Sequence, residues 1–230
     1  MELVLIRHAR PARATRDGGA DPGLTAEGAW QAGRLASWFT GVGAPRIDAL
    51  YCSPMRRARE TAASLAHVTG LPVHVRDELA EFDRGLPDYI PGEERTDDPA
   101  GQWEALLAGR WDGHVIDLDV FRSRVITGVD AVAAEHPSQV VAVICHFGVI
   151  NAYAAHVLGL PVPFFFVPDY TSITRVLVHR SGRRNLLSAN ETPRLGYPGC
   201  GIPRTHPPAG QPAGAGGDGG AGSHLVRYIP

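Results

Sequence analysis

The distribution of apolar and polar positions predicts short buried strands separated by longer helices. Positions 3–6 are four consecutive apolar residues rich in β-formers, which is typical of a strand buried on both faces in a parallel sheet. Further strands are predicted at residues 47–52, 73–75, 140–145, 171–178 and 185–188. The pattern indicates an α/β domain with a largely parallel sheet.

Apolar residues with helical spacing fill the intervals between these strands. The predicted helices cover residues 26–39, a segment from Pro54 to about residue 69, residues 117–135, and a segment ending at residue 158. Thr25 is expected to cap the first helix, and Ser53 followed by Pro54 is typical of an N-cap and a first helical position.

Three arginines lie in the first turn of the second predicted helix, where the helix dipole favours acids. Their position suits an external anion that is held by backbone N–H groups and guanidinium groups together. For Arg56 and Arg59 we favour a simpler interpretation, a solvated basic face. Arg57 is the candidate anion ligand.

Composition excludes several classes of function. The 230 residues are 44% hydrophobic and 20% charged, with a net charge of −2, which gives no electrostatic case for binding nucleic acid or a membrane surface. No apolar run approaches the ~20 residues of a transmembrane helix, and the N-terminus lacks the features of a signal peptide. We therefore expect a cytoplasmic protein, and both a monomer and a homodimer are consistent with the sequence.

The cysteine and lysine content excludes further kinds of site and reaction. Three cysteines at irregular spacing form neither a disulfide framework nor a CxxC pair typical of zinc. All 22 basic residues are arginine, so Schiff-base catalysis and a lysine-dependent phosphate loop are excluded. No HExxH or comparable ligand spacing is present, and we expect no metal and no cofactor.

Two segments differ from the regular alternation of strands and helices. Residues 76–116 are irregular, and a loop-rich segment of this length is usually functional, so we interpret it as a wall or lid that sets specificity. Residues 192–230 are rich in Pro, Gly and Ala with almost no apolar pattern, which predicts a disordered tail. The predicted domain therefore covers residues 1–191.

Polar residues follow three of the predicted strands. Arg7 and His8 end the first strand, Ser53 and Arg57 follow the second, and His146 follows the strand at 140–145. Because strand ends form the rim of the ligand crevice in α/β sheets, we expect these side chains to meet there. Glu81 adds a carboxyl group from the start of the irregular segment.

These residue types suit transfer of a phosphoryl group to nitrogen. A neutral imidazole, with an ordinary pKa of ~6.5, can attack phosphorus in line and form a phosphohistidine. Two guanidinium groups and a second histidine would stabilise the charge on the equatorial oxygens. A carboxylic acid can protonate the leaving alkoxide and later act as the base for water.

The motifs resemble those of the histidine phosphatase superfamily, the phosphoglycerate-mutase-like group. They are Arg7-His8, residues 24–32, residues 53–62, Leu79-Ala80-Glu81 and His146-Phe147-Gly148. The resemblance implies a three-layer α/β/α sandwich with a mostly parallel central sheet. It also implies the site roles: His8 as the phosphorylated nucleophile, Glu81 as the proton donor, and Arg7, Arg57 and His146 as the phosphate pocket.

The sequence departs from the family pattern at three places. Ala9 and Phe147 replace the glycines that usually follow the two histidines, and the segment after Glu81 lacks the usual aromatic residue and second glycine. Asp83 is therefore an alternative proton donor to Glu81. We expect Phe147 to alter access to the pocket, and residues around Phe147 and Tyr170 to contribute to specificity.

The favoured function is a metal-independent phosphatase acting on a small phosphorylated metabolite. One alternative is a phosphoglycerate-mutase-type phosphotransferase, which would need further cations for a second anionic group, and Arg10, Arg13 and Arg84 are the candidates. The other alternative is a non-catalytic phosphate-binding or scaffold protein with the same fold. His8-dependent release of phosphate would distinguish an enzyme from a scaffold.

Overall fold

A six-stranded mixed sheet forms the centre of the fold. The computed structural model of the protein describes residues 1–14, 21–41, 43–95 and 98–192. In chain order the elements are β1 (Glu2–Arg7), α1 (Ala26–Phe39), β2 (Ala49–Cys52), α2 (Arg56–Thr69), β3 (Val73–Val75), α3 (Pro99–Leu107), β4 (Arg110–Trp111), β5 (His114–Val115), α4 (Leu118–Glu135), β6 (Val140–Cys145), α5 (Phe147–Leu158), β7 (Ile173–Val178) and β8 (Arg184–Glu191).

The strand order of the sheet is β3-β2-β6-β1-β7-β8. Strands β3, β2, β6 and β1 are parallel, whereas β7 is antiparallel to β1 and β8 is antiparallel to β7. In this register Arg7 lies opposite Cys145, and Cys52 lies opposite Ile144. The carboxyl ends of three neighbouring strands, β2, β6 and β1, therefore reach one edge of the sheet.

Helices cover both faces of the sheet and produce three layers. In β1 the side chains of Val4 and Ile6 pack with α1 and α2, whereas Leu3 and Leu5 pack with α4 and α5. All four residues are buried, and burying each such side chain stabilises the fold by about 1.5–3 kcal/mol. The predicted α/β/α sandwich with a mostly parallel sheet is confirmed.

Most predicted elements lie where the apolar pattern placed them. Helix α1 has the predicted bounds, and the Thr25 side chain caps it by accepting from the Gly28 N–H at 2.9 Å. The prediction that Ser53 caps α2 is wrong, because that helix begins at Arg56 with Met55 as its N-cap. The Ser53 hydroxyl lies 2.7 Å from a ring nitrogen of His146, which places Ser53 outside the helix.

The irregular segment at 76–116 contains several short elements. Besides α3 and the β4–β5 hairpin, one-turn 3₁₀ helices occur at Asp77–Leu79 and Gly92–Glu94. The predicted tail lies outside the described residues apart from its first residue. Within the described ranges, no helix is long and apolar enough to span a bilayer.

Candidate active site

Three parallel strands deliver polar side chains to one edge of the sheet. His8 follows β1, Ser53 follows β2 and His146 follows β6. The pairing continues one residue past the strands, since the His8 N–H donates to the Cys145 carbonyl at 2.9 Å and the Ser53 N–H donates to the Ile144 carbonyl at 3.0 Å. The rim predicted from the strand ends is therefore formed.

The ring of His8 has one nitrogen held by the backbone. Its Nδ1 lies 2.8 Å from the Ala9 carbonyl oxygen, which assigns the ring proton to Nδ1 and leaves a lone pair on Nε2. The Arg57 Nε–H points at that Nε2 from 3.3 Å. Burial lowers the pKa of His8 well below its ordinary value, and the charges of Arg57 and Arg7 lower it further. The ring is therefore neutral at neutral pH.

The substitution at Ala9 leaves this arrangement intact. The Ala9 N–H donates to the Thr61 hydroxyl at 3.0 Å, and Thr61 in turn donates to the Arg57 carbonyl at 2.7 Å. Ala9 is fully buried. The turn that carries His8 is thus fastened to α2, the helix that carries Arg57.

His146 lies against His8, with 5.0 Å between the two ring centroids. Its Nε2 is 2.7 Å from the Ser53 hydroxyl oxygen, so Ser53 can donate to that nitrogen and leave the ring proton on Nδ1. Burial lowers the pKa of His146 well below its ordinary value, and Arg57 and His8 contribute to the shift. A neutral His146 with a proton on Nδ1 is a hydrogen-bond donor.

Two arginines flank the histidines, and each is covered by a tyrosine ring. Arg7 donates from Nη1 to the Pro168 carbonyl at 2.7 Å, and its Cζ lies 4.0 Å from the centroid of the Tyr170 ring. The Cζ of Arg57 lies 4.7 Å from the centroid of Tyr89. Both rings present a π face to a cation, which holds the guanidinium groups in place.

The two arginines and His146 keep donor nitrogens without a protein partner. Among the buried side-chain atoms of the described residues, these include Nε of Arg7, Nη1 of Arg57 and Nδ1 of His146. His8, Arg57 and His146 expose only 2%, 1% and 0% of their surface. Leaving a buried donor without an acceptor costs free energy of folding. These three nitrogens and the two guanidinium charges suit a small multivalent anion such as phosphate.

Glu81 is held by two backbone N–H groups. Its Oε2 accepts from Gly148 at 2.6 Å and its Oε1 accepts from Phe82 at 3.0 Å. Burial raises the pKa of Glu81 to about 7, with the carboxylate of Asp83 as the second cause. The hydrogen bonds oppose this shift without cancelling it. At neutral pH this carboxyl group is therefore able both to give and to accept a proton.

The Glu81 side chain lies so close to Gly148 that a larger residue does not fit at position 148. A Cβ atom at residue 148 would lie 2.3 Å from Oε1 of Glu81 and 2.9 Å from Cδ1 of Phe82. The Gly148→Ala variant should therefore displace the carboxyl group and lower kcat about 100-fold for esters with a poor leaving group. Gly33→Ala is the matched control, because a Cβ at that helical position meets nothing within 4 Å. Steady-state kinetics that show equal activity in both variants would contradict this placement of Glu81.

Phe147 packs into a cluster of aromatic rings. It stacks on Phe164 with 5.4 Å between centroids and meets Trp103 of α3 edge-on at 6.1 Å. The ring that replaces the family's glycine thereby fastens part of the irregular segment to the start of α5. Its predicted effect on access to the pocket stays a prediction.

Several contacts at the site had no counterpart in the sequence motifs. Ser53 as the partner of His146, Asp83 as the partner of Arg57, and the rings of Tyr89 and Tyr170 are the main ones. Each depends on a tertiary contact between distant segments. A motif can indicate the residue type at a strand end, but it cannot show which side chain the fold brings against it.

Comparisons with known proteins identify the family of this chain. The model of the histidine phosphatase superfamily (branch 1) matches residues 3–192. Phosphoserine phosphatase 1 of Hydrogenobacter thermophilus is 26% identical over 208 residues, which cover 85% of this chain and 95% of that protein. The adenosylcobalamin/alpha-ribazole phosphatase of Escherichia coli is 29% identical over 172 residues, or 70% of this chain and 81% of that protein.

A solved structure with the same fold contains a phosphate analogue. The mycobacterial glucosyl-3-phosphoglycerate phosphatase in complex with VO3 superposes with a TM-score of 0.66 at 25% identity. The comparison covers 83% of this chain and 99% of that one.

Proposed function

Because the chain belongs to branch 1 of the histidine phosphatase superfamily and is a phosphatase of that family, we propose that it hydrolyses a small phosphorylated metabolite through a phosphohistidine intermediate. The observation that carries the proposal is the set of three buried donor nitrogens without protein partners, on Arg7, Arg57 and His146. The side chains of Arg57 and His146 lie against His8. Together with two guanidinium charges, the three nitrogens would hold a phosphoryl group where the lone pair on Nε2 of His8 can reach phosphorus.

In the first step Nε2 of His8 gives up the hydrogen bond from the Arg57 Nε–H and attacks phosphorus as the bond from phosphorus to the ester oxygen breaks. Arg7, Arg57 and His146 stabilise the charge on the equatorial oxygens. Glu81 gives its proton to the departing oxygen, so the product leaves as an alcohol. The step leaves a phosphoryl group on His8 and a carboxylate at Glu81.

In the second step Glu81 takes a proton from water while the water oxygen attacks phosphorus. The bond from Nε2 to phosphorus breaks, inorganic phosphate leaves, and His8 and protonated Glu81 are restored. In both steps Glu81 is the protein group that transfers the proton, and His8 is the group that accepts and releases the phosphoryl group.

The ion pairs of three other arginines favour hydrolysis over the mutase alternative. Arg10 pairs with Glu27 at 2.8 Å and with Glu94 at 2.9 Å, and Arg13 pairs with Glu94 at 2.5 Å. Arg84 pairs with Asp77 at 3.5 Å and is exposed. The arginines that a mutase would need to bind a second anionic group therefore already form ion pairs with carboxylates.

Phosphate release from a panel of phosphomonoesters, including phosphoserine, glucosyl-3-phosphoglycerate and α-ribazole phosphate, tests the proposed function. We expect turnover of at least one ester by the wild-type protein and none by His8→Ala. Isomerisation of phosphoglycerate primed with bisphosphoglycerate would indicate a mutase. Phosphate binding without release from any ester would overturn the proposal and favour a scaffold.

The pH dependence of kcat/KM provides a further prediction. Burial places the pKa of Glu81 at about 7, and the pKa of His8 is well below its ordinary value. His8 therefore stays neutral as the pH rises from 6, whereas Glu81 loses its proton above pH 7. After correction for ionisation of the substrate, kcat/KM should fall above about pH 7, and Glu81→Gln should lack this fall. An unchanged alkaline limb in Glu81→Gln would contradict the assignment.

A further inference from the structure

We propose that Asp83 is a positioning residue that fixes the orientation of the Arg57 guanidinium beside His8, and that Glu81 alone donates the proton. This inference rests on the proposed function and assigns separate roles to the two carboxyl groups. The sequence left both as candidates for the donor, since they are two residues apart in one motif.

Arg57 and Asp83 form a buried ion pair. Nη2 of Arg57 donates to Oδ1 of Asp83 at 2.9 Å and to Oδ2 at 3.2 Å. The side chains of Arg57 and Asp83 expose only 1% and 8% of their surface. A buried guanidinium needs such a partner, and the contact fixes the rotation of the guanidinium plane. The fixed plane directs Nε toward His8.

Asp83 and Glu81 have different hydrogen-bond partners. Both oxygens of Asp83 accept from Nη2 of Arg57, so the Asp83 carboxyl group is engaged by the guanidinium that it positions. Glu81 instead accepts from neutral backbone N–H groups, and no arginine forms a hydrogen bond with it among the described residues. Burial of Glu81 outweighs these two hydrogen bonds and favours its protonated form.

The Asp83 side chain does not block the phosphate position. If Asp83 blocked the phosphate position, its oxygens would contact the nitrogens that await an anion. It contacts none of the three, since Nη1 of Arg57, Nε of Arg7 and Nδ1 of His146 have no partner. Backbone turns from Glu81 to Arg84 and from Asp83 to Leu86 also fix this segment.

Asp83 also acts electrostatically on its neighbour. The charged and titratable groups that influence or face Glu81 are Asp83, Arg57 from α2, Arg124 from α4 and the Cys145 thiol from β6. Burial first and Asp83 second raise the pKa of Glu81, while Arg57 lowers it. Removing the charge of Asp83 should therefore move the alkaline limb of the pH profile to lower pH.

The test compares Asp83→Asn and Glu81→Gln with two esters. The leaving group of p-nitrophenyl phosphate needs little protonation, whereas an alkyl phosphate needs a proton donor. We expect Glu81→Gln to lose about 100-fold or more in kcat on the alkyl ester and far less on the nitrophenyl ester. Asp83→Asn should lose about 10- to 100-fold in kcat/KM on both esters alike.

Binding of inorganic phosphate, measured by titration calorimetry, shows whether Asp83 positions Arg57 or blocks the phosphate position. We expect Asp83→Asn to bind phosphate about tenfold more weakly, because the guanidinium is no longer held in place. Asp83→Glu should recover part of the affinity and restore the alkaline limb. Asp77→Asn is the matched control, since it removes an exposed carboxylate that pairs with Arg84 in the same segment.

Three results would overturn the inference. The first is a loss of kcat/KM in Asp83→Asn that is confined to the alkyl ester. The second is tighter binding of phosphate by Asp83→Asn. The third is that Asp83→Asn has the kinetics and the pH profile of the wild type. Thermal unfolding of each variant checks that it is folded, and Asp83→Glu serves if the asparagine variant is not. Inactivity of the wild-type protein toward every ester would instead overturn the proposed function.

Discussion

Replacing His8 with alanine should lower phosphate release by about 10⁴-fold or more, the largest effect of any single substitution. Nδ1 of His8 bonds to the Ala9 carbonyl, which leaves the lone pair on Nε2 next to Arg57, and no other described histidine is placed in the same way. His146 has the opposite arrangement, because its Nε2 accepts from Ser53 and its Nδ1, which carries the ring proton, is the nitrogen without a protein partner. Without His8 the phosphoryl group would have no nitrogen to accept it.

The matched control is His67→Ala, which removes an exposed histidine from α2. We expect its kcat and KM to equal those of the wild type. Binding of inorganic phosphate provides a second measurement, since His8→Ala keeps Arg7, Arg57 and His146 and should still bind the anion. Residual turnover in His8→Ala within tenfold of the wild type would show that the reaction uses another nucleophile.

Replacing Arg57 with methionine should have the second largest effect. Loss of one preorganised cation at a phosphoryl-transfer site typically costs about 10³-fold in rate. The variant also leaves the Asp83 carboxylate buried without its partner, which should destabilise the fold by about 3–5 kcal/mol. Arg57→Lys keeps a charge but loses the planar fork, so it should retain more stability than activity.

Two neighbouring arginines provide controls on the same helix. Arg56 and Arg59 are exposed, and Arg56 pairs with Glu60 one turn along at 2.7 Å. Arg56→Met and Arg59→Met should change kcat/KM less than twofold and the free energy of unfolding by less than about 1 kcal/mol. Equal losses at positions 56 and 57, measured by steady-state kinetics and urea unfolding, would contradict the assignment of Arg57.

The sequence predicts the sheet and its helices because their pattern is local and repeated. Val4 and Ile6 alternate with Leu3 and Leu5, and this period of two, buried on both faces, is what a central parallel strand requires. The same regularity places His8 and His146 at neighbouring strand ends, since parallel strands present their carboxyl ends at one edge. The sequence could therefore predict that His8 and His146 lie close together at one edge of the sheet.

The parts that could not be predicted depend on contacts between distant segments. Ser53 and Pro54 are a strong local signal for a helix start, yet the Ser53 hydroxyl bonds to His146 and the helix begins at Arg56. The partner of Arg57 is Asp83, 26 residues away, in a segment with no periodic pattern. Neither pairing follows from propensity, because each is decided by which side chains meet after folding.

The central claim is that His8 becomes covalently phosphorylated during turnover. Its most direct test is a brief incubation with p-nitrophenyl phosphate, an alkaline denaturing quench and peptide mass spectrometry of the wild-type and Glu81→Gln proteins. The account predicts one phosphoryl group on the peptide that contains His8, with more of it in Glu81→Gln, because the base for hydrolysis of the intermediate is missing. Turnover that leaves no phosphoryl group on His8 in either protein would contradict it.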